Sequence, residues 1–368
     1  MKKLKIMTIV GTRPELIKLS CIIKKLDKIS EHYLVHTGQN YDYELNQIFF
    51  DDLDIKKPNF FLNAASGKPM ETIGNIISTI DDTLDKVMPD AVLILGDTNS
   101  SLSAIAAKRK KIPIFHLEAG NRCFDDNVPE EINRRIVDHI SDVNLTYSHI
   151  ARECLLKEGL SPDVTIKVGS PMYEILDNFQ DEVKNSNILN KLMLNEYDYF
   201  VFSLHREENI DNDFNFKNLV DIINSVSSSF NKSIIFPVHP RTLNKIKNQD
   251  VRFNKNVNLI KPLGFFDYIK LQQFSKAVLS DSGTISEESS ILNFPALNLR
   301  TSQERHEAFE EAAVMMVGSN KERVLQCLNI LDTLKPKDHK IVNDYNISNV
   351  SDKVIKIIFS YIDFVKAK

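Results

Sequence analysis

The sequence predicts an α/β protein made of two doubly wound halves, and three observations lead to that fold class. Short apolar runs alternate with amphipathic helical patterns, which indicates βαβ units and a mostly parallel sheet. The strand candidates are almost continuously apolar, as is typical of strands covered on both faces. A polar stretch at 180–190 interrupts the rhythm, which then restarts, so the 368 residues divide into two halves of ordinary domain size.

The elements follow one another in a regular order. In the first half we predict strands at 5–10, 33–37, 91–95, 113–117, 143–146 and 165–168, with helices that include 15–28 and 70–87. In the second half we predict strands at 199–203, 233–237, 257–260, 277–280 and 296–299, a helix at 214–228 and a final helix at 350–365. Because doubly wound sheets bind ligands beyond the carboxyl ends of their strands, the residues that follow each strand are the candidates for a site.

Composition narrows the class of protein. The 46 Lys and Arg residues against 50 Asp and Glu residues give a net charge of −4, which argues against nucleic acid or an anionic membrane as a partner. The chain has no apolar run of eighteen residues, so no membrane-spanning helix is predicted. Four dispersed cysteines form no CxxC pair and no histidine pair forms HExxH, so we predict a cytoplasmic protein with no disulfide framework, no metal and no cofactor.

The turn after the first strand has the features of an anion site. Residues 11–15 read Gly-Thr-Arg-Pro-Glu and open a helix, where free backbone N–H groups point outward. Arg13 adds a planar donor that suits phosphate, and Lys18 lies one helical turn after Glu15. An ordinary βα turn with solvated charges fits this segment equally well, since neither GxGxxG nor a Walker motif is present.

Acidic residues gather at the predicted edge of the first sheet. Asp97 follows one strand, Glu118 follows the next, and Glu130 and Glu131 lie in the first turn of a later helix. Clustered carboxylates shift one another's pKa values apart, and such pairs supply general acids and bases. The alternative is a set of helix caps and salt bridges, for which nearby arginines at 122 and 134 are available partners.

In the second half, polar residues again follow the strands. His205 and Arg206 follow 199–203 after one leucine, and His239 follows 233–237 after one valine. A single histidine is more often structural, but a strand's carboxyl end is a position typical of acid–base residues.

The clearest local signal lies at 280–288. There an apolar strand runs into Asp281-Ser282-Gly283-Thr284, and a helix with Glu288 in its first turn follows. This pattern favours a nucleotide-binding site. The N-terminus of the helix is suited to bind phosphate, and the carboxylate is suited to bind a ribose diol. A capping box explains the serine but not the glutamates, and Arg300 and Arg305 are candidates for binding a diphosphate.

The ordered set of these motifs closely resembles the non-hydrolysing UDP-N-acetylglucosamine 2-epimerase family. The resemblance spans about residues 5–310 and is carried by 11–15, 96–98 (Gly-Asp-Thr), 116–120 (His-Leu-Glu-Ala-Gly), 129–134 (Pro-Glu-Glu-Ile-Asn-Arg), 205–207 (His-Arg-Glu), 237–240 (Pro-Val-His-Pro) and 281–283. It implies a GT-B fold, with two Rossmann-like domains facing each other across a cleft that holds the active site. The implied domains are 1–172, with the helix 350–368 packing back on it, and a UDP-binding domain 173–349.

Site residues carry over from the resemblance by position. The implied catalytic residues are Asp97, Glu118, Glu130 and His205. The implied substrate-binding residues are Arg13, Lys18, Arg206, His239, Ser282, Gly283, Thr284, Glu288 and Arg305. The implied partners are a UDP-N-acetylhexosamine substrate and a second copy of the chain. The implied chemistry is anti elimination of UDP to a 2-acetamidoglycal, followed by re-addition, in the supply of surface polysaccharide precursors.

Departures from the family pattern leave the sugar open. Thr284 stands where a second glycine is usual, His306 stands where a proline is usual, and 37–42 lacks the Gln-His-Arg pattern of an allosteric site in some bacterial members. Residues 120–124 resemble the branch that makes UDP-N-acetyl-L-fucosamine, so the expected substrate is either GlcNAc/ManNAc or a 6-deoxy-L sugar, with a slight preference for the latter. The alternatives are a GT-B glycosyltransferase, a hydrolysing epimerase and a non-catalytic nucleotide-sugar sensor, and the three carboxylate positions argue against the first and the last.

Overall fold

The computed structural model of the chain describes residues 3–39, 43–204, 212–249, 251–334 and 340–367. Side chains at 43–47, 240 and 241 lie outside this description. The chain forms two compact units, residues 1–178 with 343–368 and residues 179–342. Each unit contains its own parallel sheet, so the predicted fold class of two Rossmann-like α/β domains is confirmed.

The first unit is a seven-stranded parallel sheet with helices. Its strands are β1 Lys5–Val10, β2 Glu31–His36, β3 Phe60–Phe61, β4 Ala91–Leu95, β5 Ile114–Ala119, β6 Val143–Thr146 and β7 Thr165–Lys167. Its helices are α1 Arg13–Ile29, α2 Tyr43–Asp52, α3 Pro69–Val87, α4 Ala104–Arg109, α5 Pro129–Ile140, α6 His149–Lys157, α7 Met172–Asn178 and the C-terminal helix Val350–Lys366, with a 3₁₀ turn at Asn99–Ser103.

The strand order of this sheet is β3-β2-β1-β4-β5-β6-β7. The order reverses between β1 and β4, which are paired in parallel with Ile6 opposite Ala91. At such a switch point the two following loops diverge to opposite faces and leave a crevice at the carboxyl ends. The loops after β1, β4 and β5 are therefore brought together by topology.

The second unit repeats the same order with six strands, β10-β9-β8-β11-β12-β13. They are β8 Tyr199–Ser203, β9 Ser233–Pro237, β10 Val257–Ile260, β11 Ala277–Ser280, β12 Ala296–Asn298 and β13 Met315–Met316. The helices of this unit are Gln180–Asn185, Ile188–Lys191, Asp213–Phe230, Pro240–Asn248, Phe265–Gln273, Ile285–Leu292, His306–Glu310 and Lys321–Thr333.

Both faces of the second sheet are buried, which explains why its strands are almost continuously apolar. Phe200 and Phe202 of β8 join one hydrophobic cluster, whereas Tyr199 and Val201 join another. Successive side chains of a strand point to opposite faces, so each cluster covers one face of the sheet. Burial of this kind contributes about 25 cal/mol per Å² of apolar surface, which makes these clusters a main source of each unit's stability.

The C-terminal helix belongs to the first unit. The hydroxyl and the backbone N–H of Ser351 both donate to Glu174, the latter at 2.8 Å, and Lys25 of α1 pairs with Asp352 at 2.5 Å. Val354 and Ile358 are fully buried on the inner side of this helix. The last element of the chain therefore packs against α1 and α7.

Candidate active site

The loop after β1 is organised by one buried carboxylate. Thr12 caps α1, and Glu15 Oε2 accepts hydrogen bonds from the N–H groups of Gly11 and Thr12, at 2.8 and 2.7 Å, and from the Thr12 hydroxyl. This is a capping box, in which the N-cap and the third helical residue satisfy each other's donors. Glu15 Oε1 accepts from the Thr98 hydroxyl at 2.9 Å, so the carboxylate also joins this loop to the one after β4.

Burial of Glu15 has an electrostatic consequence. Loss of hydration raises the pKa of this carboxyl to about 7, against the four hydrogen bonds that favour its ionised form. Arg13, the next candidate along the loop, stacks over the Phe49 ring with its guanidinium carbon 5.6 Å from the ring centroid. Contact between Arg13 and phosphate stays a prediction.

Glu118 lies at the end of β5 in an unusual backbone conformation. Its φ of +68° is in the left-handed region, and the register of β5 against β6 shifts between Leu117 and Ala119. Non-glycine residues in this region are strained and concentrate at functional sites. Its carboxylate pairs with Lys18 Nζ at 2.7 Å, and the two side chains are only 11% and 3% exposed. The structure thus brings together two predicted site residues that are a hundred positions apart.

Lys18 has a second neighbour. Its ammonium group lies 5.3 Å from the centroid of the Tyr147 ring, and Tyr147 is fully buried at the end of β6. The aromatic face and the Glu118 carboxylate both attract the ammonium group at this position. Tyr147 was not predicted from the sequence, where a strand-end tyrosine looks like an ordinary core residue.

Asp97 is held by an arginine from α5. Arg134 Nη2 and Nε donate to Asp97 Oδ2 at 2.5 and 3.0 Å. Asn133 Nδ2 donates to the Asp97 carbonyl at 2.9 Å. Arg122 and Arg134 were alternative candidate partners for the carboxylates, and in the structure Asp97 pairs with Arg134.

Arg122 instead belongs to a buried structural network. Its guanidinium binds Asp138 at 2.6 Å and Glu158 through two nitrogens at 2.7 and 2.6 Å. Asp138 also accepts from the Gly120 N–H and lies 3.0 Å from His116 Nδ1, while His116 Nε2 lies 2.8 Å from the Gly96 carbonyl. These contacts, which sequence analysis missed, fix the loops that carry Asp97 and Glu118.

The two neighbouring glutamates of α5 have different surroundings. Glu131 is fully buried and accepts from the Cys123 N–H at 3.0 Å and from Arg134. Although burial opposes ionisation, these donors hold the pKa of Glu131 below its ordinary value. Glu130 is partly exposed in the first helical turn. Of the pair that the sequence left open, Glu130 is therefore the one that solvent and a ligand can reach.

In the second unit, the predicted phosphate-binding site lies in the turn after β11. The N–H groups of Ser282 and Thr284 donate to the Ser280 and Ser282 hydroxyls at 3.0 and 3.3 Å. A phosphate bound here replaces these bonds with charge-assisted ones. Thr284 has φ −70°, so the side chain at this position causes no left-handed strain.

The charged residues around this turn are paired within the unit. Glu288, 7% exposed, accepts from Gln272 Nε2 at 2.8 Å, and Arg300 binds Glu304 at 2.7 and 2.9 Å. Arg305 is buried and lies 3.3 Å from Glu287. The structure therefore places the two candidate diphosphate arginines in ion pairs with glutamates of the same unit.

Of the remaining candidates, the structure describes His239 and Gly283. His239 follows β9 at the same edge of the sheet and is partly exposed. His205 and Arg206, predicted after β8, lie outside the described residues. Gly283 lies close to Arg300 and Glu304: a Cβ added at this glycine would be 3.6 Å from the Arg300 guanidinium and 2.7 Å from the Glu304 carboxylate.

Membrane-spanning helices and metal-binding groups are both absent from the described ranges. Within them, no helix has both the length and the apolarity needed to cross a bilayer. Nor do the described His, Cys, Asp and Glu side chains form a group of three or more that could ligate a metal ion. The four cysteines, Cys21, Cys123, Cys154 and Cys327, are unpaired thiols.

Two Rossmann-like units, each with a parallel sheet, define an α/β protein of the GT-B class. The family model for UDP-N-acetylglucosamine 2-epimerase matches residues 24–359. The chain belongs to this family, and the predicted enzyme class, an isomerase, is confirmed.

Relatives cover nearly the whole chain. A UDP-N-acetylglucosamine 2-epimerase structure from Rickettsia bellii has 47% identity and a TM-score of 0.91, over 99% of this chain and 98% of that one. The Methanocaldococcus jannaschii UDP-GlcNAc 2-epimerase in complex with UDP-GlcNAc and UDP has 34% identity and a TM-score of 0.91, over 97% and 100%. A UDP-2,3-diacetamido-2,3-dideoxy-D-glucuronate 2-epimerase from Pseudomonas aeruginosa is 32% identical over 88% of this chain and 91% of its own length.

Proposed function

We propose that this protein is a non-hydrolysing 2-epimerase that inverts C2 of a UDP-N-acetylhexosamine. The observation that supports this most directly is the convergence of fixed carboxylates in the first unit. Asp97 is bound by Arg134 and Glu118 is bound by Lys18, at adjacent strand ends of one sheet. Inversion of a carbon requires proton acceptors or donors on both faces of it, and several positioned carboxylates meet that requirement.

The proposed reaction has two balanced stages. A base removes the C2 proton while the C1–O bond to UDP breaks, and the electron pair of the C–H bond forms the C1=C2 double bond of a 2-acetamidoglycal. UDP oxygen then re-adds to C1 while a proton reaches the opposite face of C2. We propose Asp97, Glu118, Glu130 and His205 as the acid–base set, without dividing the individual roles among them.

We propose that the residues suited to binding phosphate stabilise UDP as the leaving group. UDP carries its charge on the diphosphate, and helix N-termini and cationic side chains lower the energy of its departure. We propose that Ser282, Gly283 and Thr284 contact the diphosphate and that Glu288 contacts the ribose. Arg13, Arg206, His239 and Arg305 complete the proposed binding set.

Substrate choice is the finer part of the proposal. We propose UDP-GlcNAc and UDP-ManNAc as the first candidate substrates, since the M. jannaschii relative is described in complex with UDP-GlcNAc and UDP. The 6-deoxy-L sugars that lead to UDP-L-FucNAc are the alternative, as is a role in surface polysaccharide precursors. The P. aeruginosa relative acts on a different UDP sugar, so a family member of similar identity can differ in the sugar. The homodimer also stays a prediction.

Proton NMR in D₂O tests the function. Purified protein is incubated with UDP-GlcNAc, and separately with the 6-deoxy-L epimers, and the H2 signal is followed. We expect deuterium at C2 together with a second epimer and no accumulation of free UDP or free sugar. The sugar that reacts identifies the branch.

Two variants sharpen this test. Glu118→Gln removes a proposed acid–base group and is expected to slow exchange by about 100-fold or more. Glu153→Gln changes a surface glutamate that pairs with His149 on α6, and it is expected to react at the wild-type rate. Wild-type exchange in Glu118→Gln contradicts the proposed role of Glu118, and an absence of exchange with every sugar contradicts the function itself.

A further inference from the structure

Asp97 is the first of a row of three charged side chains, and the proposed acid–base set does not explain the other two. Arg134 stands in its centre, only 4% exposed. On one side it donates through Nε and Nη2 to Asp97 Oδ2, and on the other it donates through Nη1 to Glu131 Oε2. A guanidinium is planar and its donors have fixed directions, so a guanidinium bound at both ends has little freedom to rotate.

Glu131 is itself held rigidly. Its carboxylate accepts from the backbone N–H groups of Cys123 and Phe124, at 3.0 and 3.3 Å, and from the Cys123 thiol at 3.3 Å. These donors come from the loop that follows β5, the strand that carries Glu118. The loop after β5 therefore fixes Glu131, Glu131 fixes Arg134, and Arg134 fixes Asp97.

The arrangement is more than a stability device. A buried ion pair contributes little net stability, because desolvation offsets most of the Coulombic attraction. A side chain that is placed with the accuracy required for proton transfer does need such supporting contacts. A misplacement of about 1 Å at a reacting group can lower the rate by about 100-fold.

We propose that Glu131 and Arg134 form a clamp that holds the Asp97 carboxylate in the orientation needed for proton transfer at C2. Both are positioning residues, and they act through Asp97 without touching the sugar. The inference rests on the proposed epimerase function, because it assigns Asp97 to that reaction. It goes beyond that function by giving Glu131 and Arg134 a role distinct from that of Glu130, which lies on the same helix.

Steady-state kinetics of four variants test the clamp. Arg134→Gln and Glu131→Gln are expected to lower kcat by about 100-fold and about 10-fold, with KM for the UDP sugar changed by less than about threefold, because only proton transfer is disturbed. Arg134→Lys keeps the positive charge but lacks the planar set of N–H donors of the guanidinium. We expect it to recover part of the activity lost in Arg134→Gln.

Arg135→Gln is the matched control. Arg135 is the next residue of α5 and also binds Glu131, through Oε1 at 3.2 Å, but it is 45% exposed and has no contact with Asp97 among the described residues. A pair this exposed contributes little, so kcat is expected within about threefold of wild type. Equal losses in Arg135→Gln and Arg134→Gln, or a loss confined to KM, overturn the clamp.

Crystal structures of the wild type and of Glu131→Gln provide a test that does not depend on activity. We expect Arg134 to shift in the variant and at least one of its two bonds to Asp97 to break. If the Asp97–Arg134 pair is unchanged in Glu131→Gln, the clamp is refuted whether or not the enzyme turns over. If the wild type shows no exchange at C2 but the pair does shift, the proposed function fails and the clamp geometry stands.

Discussion

At the scale of single residues, the first unit uses acidic side chains in two different ways. Asp97 pairs with Arg134 and Glu118 pairs with Lys18, each at a strand end. Glu15 and Glu131 are buried beneath them and organise loops by accepting several hydrogen bonds each. Sequence position alone does not separate the two kinds, since all four lie within a few residues of a strand end or a helix start.

Glu15 makes stability depend on pH. Its pKa is raised from 4.5 to about 7, so the folded state prefers the protonated carboxyl. Its contribution to stability is therefore complete below about pH 4.5 and is lost as the pH rises to about 7. The Glu15→Gln variant, which mimics the protonated form, should lack this loss, and the difference should reach about 3 kcal/mol.

Urea unfolding at pH 5 and pH 7.5 measures this difference. The free energy of unfolding of the wild type should fall relative to that of Glu15→Gln between the two pH values. Glu153→Gln is the control, because an exposed glutamate should leave the pH dependence of the wild type unaltered. Parallel pH profiles for the wild type and Glu15→Gln would show that Glu15 is ionised in the folded state.

The sequence indicated the candidate site residues better than it indicated the side chains with which they pair. Lys18 and Glu118 were both candidates, but their ion pair joins positions a hundred residues apart and depends on the adjacency of β1, β4 and β5. Arg305 was a candidate for binding phosphate, and its pairing with Glu287 was not predicted. Partners of this kind follow from three-dimensional packing, which a local pattern does not contain.

At the scale of elements, the strand cores were predictable and their ends less so. Seven predicted strands, 5–10, 91–95, 143–146, 199–203, 233–237, 257–260 and 277–280, have the observed bounds. The strand β5 was predicted at 113–117 but runs over Ile114–Ala119, because Ala119 still pairs with Thr146 beyond a bulge at Glu118 and Pro113 has no N–H to donate. The two-residue strands β3 and β13 were missed, since so short an edge strand leaves no periodicity to detect.

Gly120, the residue after β5, is an element-scale constraint that can be tested by substitution. Its φ is +83°, and a Cβ there would lie 2.3 Å from the Ala151 carbonyl oxygen. Gly120→Ala therefore combines left-handed strain with a backbone clash, and we expect it to destabilise the protein by about 3 kcal/mol or more. Chemical denaturation measures the change.

Gly74 provides the opposite control for the same substitution. It lies inside α3, and a Cβ there meets nothing within 4 Å. Gly74→Ala is expected to stabilise the protein by about 0.5–1 kcal/mol, because alanine has less conformational freedom to lose in a helix. A Gly120→Ala variant as stable as the wild type would contradict the assignment of this turn.

At the scale of the whole molecule, sequence order and structural units do not coincide. Residues 343–368 close the chain but belong to the unit formed by residues 1–178. The C-terminal helix places Val354, Ile358 and Ile362 inward at the spacing of an amphipathic helix. The sequence pattern predicted this helix, and only the family resemblance indicated which domain it would join.

Substitutions in the C-terminal helix should therefore weaken the first unit although they lie far from it in sequence. Ile358 is fully buried, so Ile358→Ala is expected to cost about 2–5 kcal/mol. Its neighbour Phe359 is 38% exposed, and Phe359→Ala should cost less than about 1 kcal/mol. Amide hydrogen exchange reads the two units separately: in Ile358→Ala, the amides of β1 should lose protection while those of β8 keep it. Because the hydrophobic cluster around β1 and those around β8 share no residue, equal loss of protection in both strands would contradict the division of the chain into these units.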